Sequence, residues 1–241
     1  MSSTYSYISR MWDSGSMRSS SGSAAHPRIP DGDAMHPDEP ASLAGAFTSA
    51  SLCDAMSRRH GHRCHVVGLT PARAGLVTAG PAATIRFGPR RDDLPDHDLA
   101  QAAAHALADV PPGGIVVIAA PDAPGEAVAG GKKLAAIEEA GAGGVIAWGA
   151  IRDRREAAEY AMGVWALSET PRASGDLLQV VEVGGLICFG GVTVMPGDWV
   201  YVDDAGLVAV PWDDREAVVQ AAAEIERADA EAVRRIRGGR A

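Results

Sequence analysis

The sequence predicts an α/β fold, and three observations support this prediction. Short, continuous apolar runs such as residues 115–118 and 144–148 alternate with helical stretches, and such runs are typical of strands that are covered on both faces. The succession of strand, helix and strand predicts right-handed crossovers and a parallel sheet. The last third of the chain instead carries short strands between glycine-rich and Pro-Gly turns, which predicts a second, β-rich layer.

The helices and strands are predicted in order from residue 49. Ser and Asp residues ahead of apolar-periodic stretches indicate helix starts, and glycines indicate helix ends. The predicted helices cover residues 49–60 (capped by Ser49 or Ser51), 97–108 (capped by Asp96), 134–140, 154–160 and 213–237. The predicted strands cover residues 76–77, 82–87, 115–118, 144–148, 178–183, 186–189, 192–194, 199–202 and 207–210, with a turn at Gly80-Pro81.

Composition excludes several classes of partner. The 241 residues carry a formal net charge of -9, so a basic face for nucleic acid is not expected, because phosphate binding needs clustered cations. No apolar run approaches the roughly 18 residues of a membrane span, and the N-terminus lacks the apolar region of a secretory signal. The three cysteines show no CxxC spacing, which indicates neither a disulfide framework nor a zinc ribbon. We therefore expect a cytoplasmic protein with no nucleic-acid or membrane partner.

The chain is expected to divide into a flexible N-terminal extension, residues 1–40, and a single α/β domain, residues 41–241. The extension contains a Ser/Gly stretch over residues 14–23 and repeated Pro and Asp over residues 26–40. Such a composition buries too little apolar surface to offset the entropy of ordering.

Two predicted strand ends carry the residues that indicate a functional site. The first strand is followed by Gly130-Gly131-Lys132-Lys133 at the start of a helix, and the second by Arg152-Asp153. Glycines at a helix start offer unpaired N–H groups to an anion, and lysine adds charge. An arginine can clamp a carboxylate or polarise a carbonyl oxygen, and an aspartate can hold a hydrated magnesium ion. Because ligands gather at the carboxyl ends of parallel strands, one site is expected there.

Several ordered motifs resemble the RraA-like family, which comprises the regulator of ribonuclease E activity A and class II aldolases for 4-hydroxy-4-methyl-2-oxoglutarate and 4-carboxy-4-hydroxy-2-oxoadipate. The resemblance covers roughly residues 45–225. It rests on a first helix (residues 50–55), a first strand (80–84), the central motif (130–153) and a closing β-section (190–198, 203–206 and Pro211).

The resemblance implies a β/β/α layered, swivelling-type domain, assembled as a homotrimer or hexamer with sites between subunits. It also implies carbon–carbon bond cleavage or decarboxylation of 2-oxo acids with a divalent metal, Mg or Mn. By the resemblance, Asp153 binds the metal, Arg152 the substrate's oxygen, and the backbone amides of residues 130–133 its carboxylate.

The loop departs from the family's usual Gly-Glu/Asp-Leu-Leu, because Gly131, Lys132 and Lys133 replace the acid and the leucines. Losing an acid and gaining cations is expected to weaken a divalent-metal site by charge repulsion.

Three hypotheses follow. The chain is an enzyme with altered substrate or chemistry, in which a lysine binds an extra anion, acts as acid or base, or forms a Schiff base. Alternatively it is a metal-dependent aldolase or decarboxylase that tolerates the change, or a non-catalytic regulatory or binding protein.

Other features have simpler interpretations. His60, His62, Cys64 and His65 are types that ligate zinc or copper, but their spacing matches no closed site, and a solvated turn is favoured. Cys53 is expected to pack in the core. Two alternatives to functional roles remain: Asp153 can serve only as a helix cap, and Arg152 only as a structural ion-pair partner.

Overall fold

A mixed sheet with helices against it confirms the α/β class. The computed structural model describes residues 46–120, 125–175 and 177–238, and the extension expected over residues 1–40 lies outside the described residues. Within those ranges no helix combines the length and apolar character needed to cross a membrane.

The helices are α1 (Ser49–Ser57), α2 (Leu99–Ala108), α3 (Gly131–Glu139), α4 (Arg154–Ala157) and α5 (Arg215–Gly238), with a 3-10 turn at Trp212–Asp214. The strands are β1 (His65–Val66), β2 (Thr70–Pro71), β3 (Thr78–Pro89), β4 (Ile115–Ala119), β5 (Ala127–Ala129), β6 (Gly144–Ile151), β7 (Gly163–Glu169), β8 (Leu178–Val183), β9 (Ile187–Phe189), β10 (Val192–Val194), β11 (Trp199–Val202) and β12 (Leu207–Val210).

Parallel strands form the centre of the main sheet, as the alternation of strands and helices predicted. The order is β1-β12-β11-β3-β4-β6-β7-β2, with β5 beside β6 and β8 beside β3. The pairs β3–β4, β4–β6, β5–β6 and β6–β7 are parallel, whereas β11, β12, β1, β2 and β8 pair antiparallel. The carboxyl ends of β5 and β6 therefore lie side by side at one edge.

Both faces of the parallel strands are covered. In β4, Val116 and Ile118 lie in one core cluster with residues of α2 and α3. Ile115 and Val117 lie in a second cluster with the β9–β10 hairpin, which confirms the expected β-rich layer. A third cluster joins α1 and α5 to β11 and β12. The continuous apolar run of β4 thus reflects burial on both faces.

Two predicted helix caps are wrong by one to three residues. Thr48, not Ser49 or Ser51, caps α1; its backbone is extended, and its hydroxyl accepts from the Ser51 N–H at 3.3 Å. Asp98, not Asp96, caps α2 and accepts from the N–H groups of the helix's first turn at 2.9 and 3.2 Å. Candidate caps lie close together in both segments, and the residue with the extended backbone at the helix start is the one that caps.

The predicted turn at Gly80-Pro81 is wrong, because both residues lie within β3. The strand changes partners there: residues 78–81 pair with β11, and residues 82–86 pair with β4. A proline without an N–H is tolerated where the ladder changes partner. At Gly80 a side chain would collide with the carbonyl oxygen of Gly113, so glycine marks a close approach of two backbone segments and no turn.

Four strands, β1, β2, β5 and β7, are missing from the sequence prediction, and the strand predicted over residues 76–77 lies outside β3, which begins at Thr78. The strands β1 and β2 have only two residues each. Both β5 and β7 contain alanine and carry no alternating pattern. Their extended conformation depends on parallel pairing with β6, which is a tertiary contact that local propensity does not report.

Candidate functional site

The paired ends of β5 and β6 bring the two predicted site segments together. Ala129 pairs with Ile151, and the Arg152 N–H donates to the Ala129 carbonyl at 3.0 Å. Gly130 and Arg152 therefore leave the sheet next to each other. A Cβ on Gly130 would lie 2.7 Å from both Cγ and Nε of Arg152, so the absence of a side chain at Gly130 lets the arginine cross the loop.

The glycine-lysine loop forms the N-terminus of α3, as predicted. Gly130 is the N-cap residue, and its carbonyl accepts from the N–H groups of Lys133 and Leu134 at 2.9 and 3.0 Å. The Gly131 N–H donates to Asp153 Oδ2 at 3.2 Å. No acceptor for the Lys132 N–H is found among the described residues. An unpaired amide at a helix start is suited to an anion.

Asp153 has an unusual backbone for its position. Its φ of 62° is left-handed, and among the described residues no other non-glycine has a positive φ. It stands at the N-cap of α4, but its side chain makes no capping hydrogen bond. The carboxylate instead accepts from Gly131, so a plain capping role does not account for it. A left-handed aspartate costs of the order of 1 kcal/mol, which is typical of functional positions.

Arg152 and Asp153 are close without forming a buried ion pair. The distance from Arg152 Nε to Asp153 Oδ2 is 3.4 Å, and the two side chains are 44% and 45% exposed. No other ion pair of Arg152 exists among the described residues. An exposed pair of this kind contributes little to stability, so the structural ion-pair interpretation of Arg152 has weak support.

A cavity of about 270 Å³ lies beside this loop. Gly130, Lys132, Lys133 and Arg152 line one part of it, and Asp153 adjoins them. The remaining walls come from β3, β5, β8 and nearby loops, with Phe87, Arg90, Asp96, His97, Leu99, Ala127, Val128, Ala129, Ala173, Ser174, Gly175, Leu178, Gln179 and Val180. The structure thus brings Gly130, the two lysines and Arg152 to one cavity, whereas Gly131 and Asp153 lie next to these residues without lining it.

The two lysines differ in their surroundings. Lys133 Nζ is 3.7 Å from Asp98 Oδ2, whereas Lys132 has no ion pair among the described residues. Burial raises the pKa of Asp98, but the N–H groups that it caps and the Lys133 ammonium outweigh burial and lower it, so Asp98 stays charged. Both lysines are exposed. The apolar burial that activates a Schiff-base lysine is therefore missing, and anion binding is the role that suits them.

Sequence reasoning missed Glu156 and Tyr160 beside the loop. The Glu156 carboxylate occupies the space where a Cβ on Gly131 would stand. The Tyr160 hydroxyl lies 2.8 Å from the Gly131 carbonyl oxygen and 3.0 Å from Glu156 Oε1. Burial, followed by the hydrogen bond with Glu156, raises the pKa of Tyr160 to about 12, so it remains a donor at neutral pH. The one-turn spacing of Asp153 and Glu156 is the signal that could have identified the acid.

Gln179 in β8 is a second residue without a sequence signal. It lines the cavity and is 3% exposed. Neither its amide nitrogen nor its amide oxygen has a hydrogen-bond partner among the described residues. A buried polar group without a partner costs about 1–3 kcal/mol, so a polar ligand atom or a water molecule would be stabilised there.

Fold and site together define an α/β protein with an anion-binding helix start, an arginine and acidic side chains at adjacent strand ends. Residues 49–209 match the RraA-like (Aldolase/RraA) family model. The chain is 30% identical over 165 residues to a protein of Burkholderia multivorans provisionally named as a 4-hydroxy-4-methyl-2-oxoglutarate aldolase, covering 67% of this chain and 94% of that one. A Halorhodospira halophila protein of the same provisional name is 28% identical, covering 68% and 94%.

Among solved structures, Streptomyces coelicolor RraAS2, described as an unusual member of the RNase ES inhibitor RraA protein family, superposes with a TM-score of 0.71. It is 27% identical, and the match covers 82% of this chain and 98% of RraAS2. The chain belongs to the RraA-like (Aldolase/RraA) family. The resemblance drawn from the sequence motifs, and the fold class that it implied, are confirmed.

Proposed function

We propose that the chain is a carbon–carbon lyase of the aldolase or decarboxylase kind, acting on a 2-oxo acid that carries a second carboxylate. The observation that supports this most directly is the convergence of Arg152, Asp153 and the N-terminus of α3 beside one cavity with two exposed lysines. Relatives provisionally named as aldolases support the same reaction class.

Substrate binding is assigned to the loop at the start of α3. The unpaired Lys132 N–H and the Lys132 ammonium would receive one carboxylate, since both are free of partners among the described residues. Lys133, whose Nζ lies 3.7 Å from Asp98 Oδ2, would face a second anionic group in the same cavity. The unpaired amide of Gln179 would bond a further polar atom. The lysines that replace the family's leucines thus favour a more highly charged substrate.

Arg152 is assigned the substrate's 2-oxo oxygen. Breaking the bond between C3 and C4 of the 2-oxo acid leaves its electron pair on C3, from which it moves into the 2-oxo group, and negative charge develops on the 2-oxo oxygen. The backbone bond of Arg152 to Ala129 places this residue at the strand end, and its guanidinium can stabilise the charge that develops on the oxygen. In decarboxylation, C4 leaves as carbon dioxide; in aldol cleavage, the hydroxyl group on C4 gives up its proton to water and C4 leaves as the carbonyl carbon of a second oxo compound. In both reactions C3 then takes a proton from water.

Asp153 is assigned to a divalent metal, Mg²⁺ or Mn²⁺. The site fits a magnesium ion that keeps most of its waters, since one carboxylate and a nearby acid suffice for such an ion. The Glu156 carboxylate fills the space that a side chain at Gly131 would occupy, and so replaces the acid that the loop has lost. When bound, the ion would withdraw electrons from the 2-oxo group.

Purified full-length protein incubated with oxaloacetate and Mg²⁺ tests the proposal. The expected result is decarboxylation that a chelator abolishes. Asp153→Asn and Arg152→Ala should each lower kcat about 10²- to 10³-fold. Asparagine is chosen at residue 153 because it tolerates the left-handed backbone. Arg234→Ala, on the exposed half of α5, is the matched control and should keep full activity. Unchanged activity in both site variants would contradict the assignment.

A second candidate function is supported by the similarity to RraAS2. In this alternative the chain is a non-catalytic regulatory protein that binds an RNA-processing enzyme. Folded protein that consumes no 2-oxo acid with either metal, but co-purifies with a ribonuclease, would favour it.

The family membership also supports a homo-oligomer, and a trimer or hexamer is the proposed state. Light scattering at several concentrations measures the mass directly. A monomer at all concentrations would argue against sites shared between subunits.

A further inference from the structure

A second cluster of chemically reactive side chains lies away from the cavity. Cys53, Cys64 and His65 each offer one ligand atom, and these three atoms all lie within 4.8 Å of one another. None of the three residues lines the cavity beside α3. The only other cysteine of the chain, Cys188, is exposed in β9 and does not belong to the cluster.

We propose that Cys53, Cys64 and His65 form a zinc-binding site, with the fourth position open to water. Two thiolates and an imidazole are the donor set that zinc prefers. With zinc–sulfur bonds of about 2.3 Å, two sulfurs of a tetrahedral site are about 3.8 Å apart. The three ligand atoms lie at most 4.8 Å apart, which exceeds this sulfur–sulfur distance by only about 1 Å.

The three donors stand on elements that fix their backbones. Cys53 lies in α1, which has a side-chain cap at its start and packs in the third core cluster. The Cys64 carbonyl accepts from the Ala209 N–H at 2.8 Å, and His65 pairs with Val208 of β12. Rigid placement of donors lowers the entropy lost on metal binding.

Burial and charge around the cluster favour a cation. Cys64 is 6% exposed, Cys53 is half-buried, and the His65 side chain is exposed, so the imidazole can rotate toward an ion that enters from solvent. The carboxylates of Asp54 and Asp203 are close enough to act electrostatically on the Cys53 thiol. Binding would release the thiol protons to solvent and leave a site with little net charge.

The other histidines of the segment do not join the cluster. His60 Nε2 lies 2.7 Å from Asp214 Oδ2, and the His60 and His62 rings are 5.0 Å apart. The site therefore differs from the His60, His62, Cys64 and His65 grouping that the sequence suggests, because it loses two histidines and gains Cys53 from α1.

Cobalt titration of the full-length protein tests the proposal, with a phosphine reductant present and bound metal removed beforehand by a chelator. Co²⁺ is expected to bind at one equivalent with a sulfur-to-cobalt charge-transfer band and the visible bands of a tetrahedral ion, and Zn²⁺ should displace it. Cys53→Ser and Cys64→Ser should abolish the charge-transfer band. Cys188→Ser, the matched control, should keep it, and so should Asp153→Asn, because oxygen ligands give no such band.

A second measurement keeps the proposal testable if a serine variant does not fold. In the wild-type protein, Zn²⁺ should protect Cys53 and Cys64 from alkylation, as read by mass spectrometry, and leave Cys188 reactive. His65→Ala should weaken this protection. Absence of the cobalt band in the wild type, persistence of the band in folded Cys53→Ser, or equal alkylation of the three thiols with and without zinc would overturn the proposal.

Discussion

At the scale of single residues, Gly131 is the residue that both the Asp153 and the Glu156 carboxylates contact. Its N–H donates to Asp153, its carbonyl oxygen contacts Tyr160, and the space at its missing side chain is occupied by Glu156. The family usually carries an acid at this position. Because Gly131 has no side chain, α3 carries no carboxylate at this position, and the Glu156 carboxylate of α4 occupies the space instead. Negative charge is therefore retained beside Asp153.

Gly131→Ala is expected to fold normally but to lose activity. The added Cβ would displace the Glu156 carboxylate, the end of a flexible side chain, so little stability is lost. Losing a group that orients metal-bound water typically lowers activity about 10- to 100-fold. The measurement is kcat for oxaloacetate decarboxylation beside the thermal midpoint. Gly238→Ala, a helical glycine with open space around it, is the control and should match the wild type. Full activity in Gly131→Ala would show that Glu156 has no role.

At the scale of elements, ion pairs join the segment after α1 to the start of α5. Asp214 accepts from Arg59 Nε at 3.1 Å and lies 2.7 Å from His60 Nε2. The Thr48 hydroxyl, which caps α1, donates to Glu226 of α5 at 2.8 Å. The hydrogen bond with His60, followed by that with Arg59, lowers the pKa of Asp214. These polar contacts add to the apolar contacts of the third core cluster, which also join α1 to α5.

Asp214→Asn is expected to lower the free energy of unfolding at neutral pH by about 0.5–1 kcal/mol, since the Arg59 and Asp214 side chains are 44% and 19% exposed and ion pairs that solvent reaches contribute little. The pKa of Asp214 is lowered in the folded state, so its contribution is present above the ordinary aspartate pKa and disappears as pH falls through the lowered value. Denaturant unfolding at several pH values measures the effect. The difference between Asp214→Asn and wild type should shrink with acid. Asp229→Asn, exposed on α5, should change neither quantity.

At the scale of the whole molecule, the predicted domain needs residues that lie just before α1. Phe47 is 2% exposed, packs with its ring centroid 5.3 Å from that of Tyr201, and accepts at its carbonyl from the Tyr201 hydroxyl at 3.1 Å. The third core cluster therefore includes a side chain that precedes every regular helix and strand among the described residues.

A chain of residues 41–241 is expected to keep the unfolding free energy of the full-length protein, whereas Phe47→Ala should lose about 3–5 kcal/mol. The physical reason is the cavity left beside Tyr201 and Trp199. Denaturant unfolding of the full-length protein, the shortened chain and the variant makes the comparison. Equal stability of Phe47→Ala and wild type would place the domain boundary after residue 47.

Much of the fold follows from local sequence, but its exceptions share one cause. The runs that form β4 and β6 were recognisable because both of their faces are apolar, and β8 to β12 because turns separate them. The error at Gly80-Pro81 and the missing strands β1, β2, β5 and β7 arise where pairing partners, absent from any local window, impose an extended backbone.

The site divides in the same way. Gly130, the two lysines, Arg152 and Asp153 could be placed near one another, because strand ends in a parallel sheet meet at one edge. Gln179 comes from a strand that only the β3 pairing brings to the cavity. Glu156 contacts the loop three residues after Asp153, and the sequence letters reveal neither this contact nor the left-handed backbone of Asp153.

By itself, then, the sequence determined the family, the α/β class and the identity of the loop and strand-end residues, since these depend on order and spacing along the chain. The tertiary structure decided which side chains meet: Glu156 at Gly131, Gln179 at the cavity, and Cys53 beside Cys64 and His65. Contacts between residues distant in sequence depend on pairing register and on the positions of helices against the sheet, and these are fixed only when the whole core forms.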